Sequence, residues 1–460
     1  MFKKVLVANR GEIACRVLKT CERLGIPSVA VFSDADVGLP QVALADEAVR
    51  IGPPPVKDSY LNVAALVAAI RDTGADAVHP GYGLLSENRE FAEAVAGAGA
   101  VFVGPPPAAL DAFGDKIKAR AVAGSAGVSP PPGSDAPIPA DDAGALLAEA
   151  ERIGFPLLIK AAGGGGGIGM QIVREASELA RAARSCSDRA RAAFGDARVY
   201  LERYLDRPRH IEVQILRDAS GASVALGERE CSVQRRHQKI IEETPSPAQF
   251  FAGSAGAERR AALWRDALRV VEAAGYLGAG TVEFVADAHG NLYFLEVNAR
   301  LQVEHPVTEL VTGLDLVEQQ LRIAAGETLS QAVLAPRFEG HAIEARLYAE
   351  DPSKQFLPQP GRLQRLSFPA GLPGVRIDAG VEQGSEVTQF YDPMIAKVCA
   401  HGSDRAAAID RLDAALAATE LELVGPKGPR ATNIGFLRRV LASPVFRSGE
   451  YDTGLVAALG

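Results

Sequence analysis

Short apolar runs alternate with segments of helical periodicity over the first 110 residues. Residues 4–8 predict a buried strand, and residues 11–24 predict a helix that ends at Gly25. Further strands are expected at 28–32, 75–78 and 101–103. Strands that alternate with helices indicate a wound, parallel sheet, and ligands usually bind at the carboxyl ends of its strands.

The pattern changes at residues 129–140, which are rich in proline, glycine and serine and predict a linker or surface loop. The next segment predicts a small mobile subdomain. It contains a helix near 141–153, strands near 156–160, 170–173 and 198–204, and a glycine loop at 163–169. Beyond it, strands are expected at 210–216 and 292–297, helices near 257–274, 306–325 and 403–418, and short strands from about 338 onwards.

Length and charge narrow the class of protein. A chain of 460 residues is expected to form about three domains. The net charge of −8 and the pI of about 5.6 argue against a broad nucleic-acid-binding surface, so no nucleic-acid partner is expected. The first apolar run is too short for a signal peptide, and no stretch approaches the length of a membrane span. We therefore expect a cytoplasmic protein without a membrane partner.

The cysteines argue against two further kinds of structure. They are odd in number and scattered, at positions 15, 21, 186, 231 and 399, and no Cys-x-x-Cys pair occurs. Isolated thiols are therefore expected, rather than a disulfide framework or a zinc site.

A glycine run that follows Lys160 is the first feature with chemical potential. Residues 163–167 are all glycine, and Ile168 and Gly169 follow them. Glycines let backbone amides approach phosphate oxygens, and the lysine adds a positive charge. The run is not a Walker loop, because Gly-Lys-Ser/Thr is missing. Phosphate binding is the favoured interpretation, and a flexible surface loop is the alternative.

Two acidic residues, Glu283 and Glu296, interrupt apolar strands on either side of a turn at Gly290 and Asn291. A hairpin would place the two carboxylates side by side, with Asn298 on the same face as Glu296. Two carboxylates and an amide oxygen suit a hard cation that also binds phosphates. The alternative is a solvated sheet face.

Alternating polar residues follow directly. Arg300, Gln302 and Glu304 would project into one site if the chain is extended there. Arginine binds an oxyanion bidentately, and a nearby carboxylate accepts a proton. From spacing alone, a structural salt-bridge cluster is equally expected.

A local basic patch lies within residues 227–243 of this acidic chain. Its members are Arg235, Arg236, His237 and Lys239. A solvated face is the usual interpretation of such a run, but the apolar flanks also fit a strand whose basic residues face a pocket. Farther along, Glu344 and Arg346 share one face of a predicted strand.

Long motifs occur in a fixed order along the chain. They are HPGYGLLSEN (79–88), GDKIKAR (114–120), KAAGGGGGIGM (160–170), GERECSVQRRHQK (227–239), EVNARLQVEHPVTE (296–309), FLPQPG (356–361) and YDPMIAK (391–397). Together they closely resemble the biotin carboxylase family. The resemblance extends from residues 8–14 to residues 452–454.

The resemblance implies an α/β and α+β fold in three parts. A Rossmann-like domain that precedes the ATP-grasp would span residues 1–113. An ATP-grasp domain would span 114–330, with a mobile lid at about 131–205, and a mixed, β-rich C-terminal biotin carboxylase domain would span 331–460. The implied reaction is ATP-dependent carboxylation of biotin on a biotin carboxyl carrier protein, with bicarbonate as the carbon source and carboxyphosphate as an intermediate.

Matched positions receive roles from the same resemblance. ATP would be bound by Lys116, Lys160, Gly164, Gly165, Gly166, Gly167, Glu202, Arg203, Leu205, His210, Gln234, His237 and Ile434. Glu283, Glu296 and Asn298 would hold Mg²⁺ or Mn²⁺, and bicarbonate would be bound by Lys239, Arg300, Gln302 and Val303. Biotin would be bound by Tyr82, Arg346 and Asp392. The catalytic residues would be Lys239, Arg300, Glu304 as the base, and Arg346 as the group that stabilises the biotin enolate.

Neither a lysine between two methionines, where biotin is normally attached, nor a carboxyltransferase segment is present. The carrier and the carboxyltransferase are therefore expected on separate chains or on a longer parent chain, and the family implies a homodimer. The final acceptor stays open among acetyl-CoA, propionyl-CoA, methylcrotonyl-CoA, pyruvate and urea, with an acyl-CoA favoured. Two rival interpretations are another ATP-grasp ligase and a nucleotide-binding scaffold without turnover. The presence of Lys239, Glu304 and Arg346 argues against the scaffold.

The chain departs from the usual family pattern at a few positions. Ile168 and Gln171 stand where arginine is usual, Leu84 where phenylalanine is usual, Ala299 where threonine is common, and Arg203 where lysine is frequent. Residues 424–431 form a modified loop that the family places near the nucleotide. None of these changes removes a residue with an implied chemical role.

Overall fold

The computed structural model describes residues 1–162, 170–235 and 238–460. Its first part contains β1 (Val5–Val7), α1 (Gly11–Leu24), β2 (Ser28–Ser33), α2 (Pro40–Leu44), β3 (Glu47–Gly52), α3 (Val63–Thr73), β4 (Ala77–His79), α4 (Arg89–Gly97) and β5 (Val101–Phe102). The five strands pair in parallel in the order β3-β2-β1-β4-β5, which is a doubly wound sheet. The predicted Rossmann-like unit is confirmed.

Two connecting helices, α5 (Pro107–Gly114) and α6 (Lys116–Ser125), lead to a second unit. This unit contains α7 (Ala143–Ile153), β6 (Leu157–Ala161), β7 (Gln171–Val173), α8 (Ala176–Phe194) and β8 (Val199–Arg203). The strands form an antiparallel sheet in the order β7-β6-β8, and α7 and α8 pack on it around a separate core that includes Leu146, Ile159 and Ala182. The loop at 129–140 lies against this sheet, since the Ile138 amide donates to the Val199 carbonyl over 2.8 Å.

Helix α8 is missing from the sequence-based prediction. It is 19 residues long and places Leu179, Ala182, Ala183 and Cys186 in the core of this unit. The buried face is made largely of alanine, and arginines and other polar residues lie on the remaining faces. The helical periodicity was therefore present in the sequence, and the sequence-based prediction overlooked it.

The remaining elements begin with β9 (Arg209–Arg217), β10 (Ser223–Arg235), β11 (Gln238–Thr244), α9 (Gly253–Ala273), β12 (Gly278–Ala286), β13 (Leu292–Asn298), α10 (His305–Thr312), α11 (Leu316–Ala324), α12 (Gln331–Leu334) and β14 (His341–Tyr348). They continue with β15 (Glu350–Asp351), β16 (Leu357–Pro358), β17 (Gly361–Ser367), β18 (Val375–Ala379), β19 (Glu386–Val387), β20 (Met394–Gly402), α13 (Arg405–Ala418), β21 (Glu420–Gly425), β22 (Gly428–Pro429), α14 (Ile434–Ala442), α15 (Pro444–Ser448) and α16 (Leu455–Leu459).

One eight-stranded sheet joins the middle of the chain to its C-terminal part. Its order is β13-β12-β9-β10-β11-β14-β20-β18. Strands on both sides of the expected boundary at residue 330 therefore hydrogen-bond in a single sheet through the β11–β14 pair. A smaller sheet of order β19-β17-β21-β22 lies in the C-terminal part.

The stretch 306–325 is helical, as predicted, but it contains two helices. Gly313 ends α10 with a φ of +70°, a conformation that glycine adopts readily. Asp315 then caps α11 by accepting a hydrogen bond from the Glu318 amide at 3.0 Å. The helical stretch is therefore divided by a capped break between α10 and α11.

A buried cluster around Glu243 attaches the C-terminal helices to this sheet. The Glu243 carboxylate is fully buried and accepts hydrogen bonds from His341 Nε2 (2.6 Å), Arg405 Nε (2.6 Å) and the Tyr451 hydroxyl (2.6 Å). Burial by itself would raise the pKa of Glu243, but His341 and Arg405 lower it to about 2. The folded state therefore holds Glu243 as a carboxylate.

We expect Glu243→Gln to lower the free energy of unfolding by about 3 kcal/mol near neutral pH, because Arg405 loses its buried partner. The pKa of Glu243 is depressed on folding, from an ordinary value of 4.5 to about 2. Its stabilising contribution is thus fully present above pH 4.5 and is lost as the pH falls towards 2. Urea unfolding of both proteins as a function of pH measures this difference. The control Glu450→Gln, at an exposed position, should change stability by less than about 0.5 kcal/mol.

The sequence predicted isolated thiols and no membrane-spanning segment, and the structure bears on both points. All five cysteines are free and buried, as expected for isolated thiols. Among the described residues, no helix combines the length and the hydropathy needed to cross a lipid bilayer.

Candidate active site

Lys239 on β11 lies at the centre of a buried group of carboxylates. Its Nζ atom is 2.6 Å from Glu212 Oε2, 2.7 Å from Glu304 Oε1 and 2.9 Å from Glu283 Oε1. Burial works against the charged form of lysine, but the acidic groups around it raise the pKa of Lys239 well above its ordinary value. The site therefore holds a charged ammonium group whose hydrogen bonds can pass from these carboxylates to an anionic ligand.

Glu304 contacts a different cation with each of its oxygens. Oε1 accepts a hydrogen bond from Lys239, and Oε2 accepts one from Arg346 at 2.9 Å. Burial alone would raise the pKa of Glu304, but Lys239, Arg346 and Arg229 lower it well below its ordinary value. Glu304 is therefore an ionised carboxylate at the start of α10, held between two cations.

Arg300 connects this cluster to the N-terminal unit. Its guanidinium donates to Glu87 Oε2 (2.9 Å), Gln302 Oε1 (2.9 Å) and Asn298 Oδ1 (2.8 Å). Gln302 in turn donates to Glu283 Oε1 over 3.0 Å. The structure thus brings Arg300, Gln302 and Glu304 into one site, and it also provides the salt bridge that the alternative interpretation required.

The predicted hairpin of β12 and β13 is present, and Glu283 lies opposite Glu296 in its register. Asn298 donates to Glu283 Oε1 over 2.9 Å. Ligand atoms of Glu283, His210 and Glu212 lie within 4.8 Å of one another, so the acidic group includes one carboxylate more than the sequence-based set. Glu283 and Asn298 are buried on this face and Glu296 is half-buried, so the face is not the fully solvated one of the alternative interpretation.

The lysines expected to contact phosphates lie at the boundary between the small unit and the main sheet. Lys116 Nζ donates to Glu296 Oε2 over 2.9 Å, and the Lys116 amide donates to the Ala162 carbonyl over 3.0 Å. Lys160 forms a buried ion pair with Glu202, which Arg120 also contacts at 2.9 Å. Both amines are thus held by carboxylates that ATP phosphates would replace as partners.

The other residues expected to contact the nucleotide lie on several different elements. Gln234 donates to His210 Nδ1 (2.5 Å), and His210 Nε2 lies 2.8 Å from Glu283 Oε2. Arg203 donates to the Ile153 carbonyl over 3.1 Å, Leu205 lies in the loop after β8, and Ile434 begins α14. Gly164, Gly165, Gly166, Gly167 and His237 lie outside the described residues.

Tyr82 and Asp392, the other residues expected near biotin, lie close enough to Arg346 for its charge to act on their pKa values. The Tyr82 hydroxyl donates a hydrogen bond to Glu12, and Lys397 Nζ donates one to the Val303 carbonyl over 2.8 Å. Asp392 accepts a hydrogen bond from the Met394 amide at 3.0 Å, and burial raises the pKa of Asp392. Val303, one of the expected bicarbonate contacts, is therefore fixed through its backbone.

Three consecutive parts of the chain match known families. Residues 1–110 match "Biotin carboxylase, N-terminal domain", residues 115–332 match "Carbamoyl-phosphate synthase L chain, ATP binding domain", and residues 344–458 match "Biotin carboxylase C-terminal domain". A curated biotin carboxylase of Halalkalibacterium halodurans is 48% identical over 456 residues, which cover 99% of this chain and 97% of the relative. The chain belongs to the biotin carboxylase family.

Two further similarities extend this assignment. The propionyl-CoA carboxylase alpha chain of Ruegeria pomeroyi is 48% identical over 99% of this biotin carboxylase family member, which spans 68% of that relative. The biotin carboxylase domain of the Hydrogenobacter thermophilus 2-oxoglutarate carboxylase, solved as a dimer with MgADP, ADP and bicarbonate, superposes with a TM-score of 0.93. It is 41% identical, and the match covers 100% of this chain and 98% of that one.

The sequence-based analysis of this family member missed several charged residues of the site. They are Glu12, Glu87, Glu212, Arg229, Glu242 and Lys397. A signal existed for Glu212, because His210, Glu212 and Gln214 alternate within an otherwise apolar strand, as Glu283 and Glu296 interrupt theirs. The others carry no comparable local pattern.

The departures from the family pattern fall beside the site rather than on its charged groups. Leu84 has a φ of +48°, which is unusual for a bulky residue. Ala299 contacts Glu87 through its amide over 2.9 Å, so this contact does not depend on its side chain. Gln171 begins β7, the loop at 424–431 contains the short β21–β22 hairpin, and Ile168 lies outside the described residues.

Proposed function

We propose that this chain catalyses the ATP-dependent carboxylation of biotin on a biotin carboxyl carrier protein, with bicarbonate as the carbon source. The observation that carries the proposal is the contact series Lys239–Glu304–Arg346. It places a cation for an oxyanion, an ionised carboxylate and an arginine within direct contact of each other. The residue roles below are proposals that this geometry supports.

In the first stage, bicarbonate binds between Arg300 and Lys239, and Glu304 accepts its proton. Lys239 shifts from Glu304 to the substrate, which frees Oε1 to act as the base. An oxygen of the resulting carbonate attacks the γ-phosphorus of ATP, the bond to ADP breaks, and carboxyphosphate forms. Lys116 and Lys160 stabilise the charge on the phosphates.

In the second stage, carboxyphosphate breaks down to CO₂ and phosphate beside the biotin ring. The released phosphate takes the proton from the ureido nitrogen, and that nitrogen attacks CO₂ to give carboxybiotin. Arg346 stabilises the negative charge that develops on the ureido oxygen, as preorganised donors do in oxyanion sites. A site this well buried also limits the loss of carboxyphosphate to water.

The acidic hairpin fits a divalent cation. Burial alone would raise the pKa of Glu283, but Lys239 and His210 lower it well below its ordinary value, so Glu283 offers an anionic oxygen donor. Glu296 lies opposite it, and Asn298 adds an amide oxygen, which together form the hard donor set that Mg²⁺ prefers. When bound, the ion would neutralise charge on the nucleotide phosphates.

Glu296→Gln is expected to raise the Mg²⁺ concentration for half-maximal ADP release by about tenfold or more, because one anionic oxygen donor is lost. Titration of Mg²⁺ at fixed ATP and bicarbonate measures the shift. The control Glu258→Gln changes an exposed residue of α9 and should leave the titration in place. An unshifted titration for Glu296→Gln would remove this residue from the metal site.

ADP release by the purified protein tests the activity. With ATP and Mg²⁺, release should require bicarbonate and should rise when free biotin is added at high concentration. Release that ignores bicarbonate would contradict the proposal. Release that requires bicarbonate but never responds to biotin would favour another ATP-grasp ligase.

The partner proteins and the final carboxyl acceptor are inferred from the family rather than from the geometry of this site. We propose a homodimer that works with a separate biotin carrier and carboxyltransferase, and an acyl-CoA as the final acceptor. The similarity to a propionyl-CoA carboxylase alpha chain supports the acceptor, and the dimeric structure of the Hydrogenobacter relative supports the dimer. A cytoplasmic location stays a prediction from the sequence.

We also propose the three-part division at 1–113, 114–330 and 331–460, with a lid at about 131–205. The family matches at 1–110, 115–332 and 344–458 support the boundary after residue 113 and the end of the second part at 330 to within a few residues, and the start of the third part at 331 more loosely. The separate hydrophobic core of β6, β7, β8, α7 and α8 supports the lid.

A further inference from the structure

Two buried carboxylates share one nitrogen of Arg346. Its Nη2 atom is 2.9 Å from Glu304 Oε2 and 2.5 Å from Glu242 Oε1. Both glutamates have no exposed surface. The mechanism above gives Glu304 the task of accepting a proton, but it leaves Glu242 without one.

The hydrogen bonding between Glu242 and Arg346 is incomplete. Among the described residues, neither oxygen of Glu242 receives an aligned hydrogen bond, and Arg346 Nε has no acceptor. Unsatisfied polar groups are unfavourable at such buried positions. A guanidinium that donated from two nitrogens to both oxygens of Glu242 would satisfy all of them. The site therefore contains the components of a bidentate pair that does not form while Arg346 contacts Glu304.

We infer that Glu242 is a positioning residue that holds Arg346 at the biotin site after Glu304 has accepted the proton of bicarbonate. The inference rests on the proposed function. A protonated Glu304 has no negative charge, so its attraction to Arg346 falls at the moment when biotin must react. Glu242 then keeps the guanidinium in place while the ureido oxygen becomes negative.

Glu344 lies opposite Glu242 on β14, but in the described part of the chain the ion pairs of Arg346 are with Glu242 and Glu304 and not with Glu344. Burial raises the pKa of Glu344 well above its ordinary value, although Lys397 opposes this shift. Lys397 is itself paired with Glu12 at 3.1 Å. Burial raises the pKa of Glu242 to about 7, against the effect of Arg346, so Glu242 is a carboxylate at pH 8.

The test is Glu242→Gln, measured at pH 8 with ATP, Mg²⁺ and bicarbonate, in the absence and presence of free biotin. The variant removes the charge and keeps the shape of the side chain. We expect the ratio of biotin-stimulated to biotin-independent ADP release to fall about 10-fold to 100-fold, because Arg346 is no longer held where biotin reacts. A purely structural role would lower both rates together and leave the ratio unchanged.

The neighbouring residue supplies a matched control. Glu243 is equally buried on the same strand, but its partners are Arg405 and His341 rather than Arg346. Glu243→Gln should therefore lower stability without changing the ratio. In addition, Glu242→Gln should have no further effect on the ratio in an Arg346→Ala background, since both changes act through one guanidinium.

Three results would overturn the inference. They are an unchanged ratio in Glu242→Gln, an equal fall in the ratio in Glu243→Gln, and additive effects with Arg346→Ala. Lack of any biotin stimulation in the unsubstituted protein would instead overturn the proposed function, and the inference with it. The failure of each claim is thus separately visible.

Discussion

Glu304→Gln is expected to lower bicarbonate-dependent ADP release by about 10²-fold to 10⁴-fold, the usual contribution of a general base. The amide cannot accept the proton that must leave bicarbonate before its oxygen attacks ATP. The substitution should leave the fold intact, because Lys239 keeps Glu212 and Glu283 and Arg346 keeps Glu242. Steady-state ADP release at saturating bicarbonate measures the effect.

ATP affinity provides the control for this variant. The carboxylate of Glu304 contacts Lys239 and Arg346 rather than the lysines expected at the phosphates, so the dissociation constant for ATP should stay within about threefold. A variant that loses ATP binding in proportion to turnover would show that Glu304 supports the site as a structural element. A variant that retains full turnover would exclude it as the base.

Arg346→Ala is expected to lower the ratio of biotin-stimulated to biotin-independent ADP release by about 10²-fold to 10³-fold, which is typical for loss of an oxyanion donor. Arg346 lies between Glu242 and Glu304, so its removal takes away the only guanidinium that either of these carboxylates contacts in the described residues. Measurement of ADP release across a biotin titration gives the ratio directly.

Arg346→Lys separates the role of charge from the role of shape. Lysine keeps a positive charge but lacks the planar fork that contacts two acceptors at once. We expect an intermediate ratio, with the loss appearing mainly in the maximal biotin-stimulated rate. If Arg346→Ala responds to biotin as the unsubstituted protein does, Arg346 does not stabilise the biotin oxyanion.

Local patterns were sufficient for those parts of the site that lie within one hairpin or one short segment. The strand periodicity on either side of Gly290 and Asn291 predicted the hairpin, and the register indeed sets Glu283 opposite Glu296. The alternation of Arg300, Gln302 and Glu304 indicated a shared site, with a structural salt-bridge cluster as an equal alternative. In both cases the distance along the chain is short, so the backbone geometry alone brings the side chains together.

Contacts between distant segments could not be predicted in this way. Lys239 and Glu304 are 65 residues apart, and Arg300 and Glu87 are 213 apart. The first contact joins β11 to the start of α10, and the second joins the segment after β13 to the segment before α4; no periodicity in the sequence encodes how these elements are arranged. The predicted boundary at residue 330 illustrates the same point, since the pairing of β11 with β14 carries one sheet across it.

The family resemblance supplied what the local patterns lacked. It named Lys239 and Arg346 as members of one site, and the structure places both in contact with Glu304. It gave no role to Glu242, because a residue that acts on a catalytic group rather than on the substrate leaves little trace in a motif. Glu242 became apparent only from its burial and from its oxygens that accept no hydrogen bond among the described residues.

The most direct test of the account is transfer of labelled carbon from bicarbonate to biotin, supplied both free and on a biotinylated acyl-CoA carboxylase carrier domain. We expect acid-labile label on biotin, and its appearance should require ATP and Mg²⁺. The carrier without biotin should stay unlabelled, and Glu304→Gln should transfer no label. ATP consumption that depends on bicarbonate, without label on either form of biotin, would contradict the account and point to a different ATP-grasp ligase.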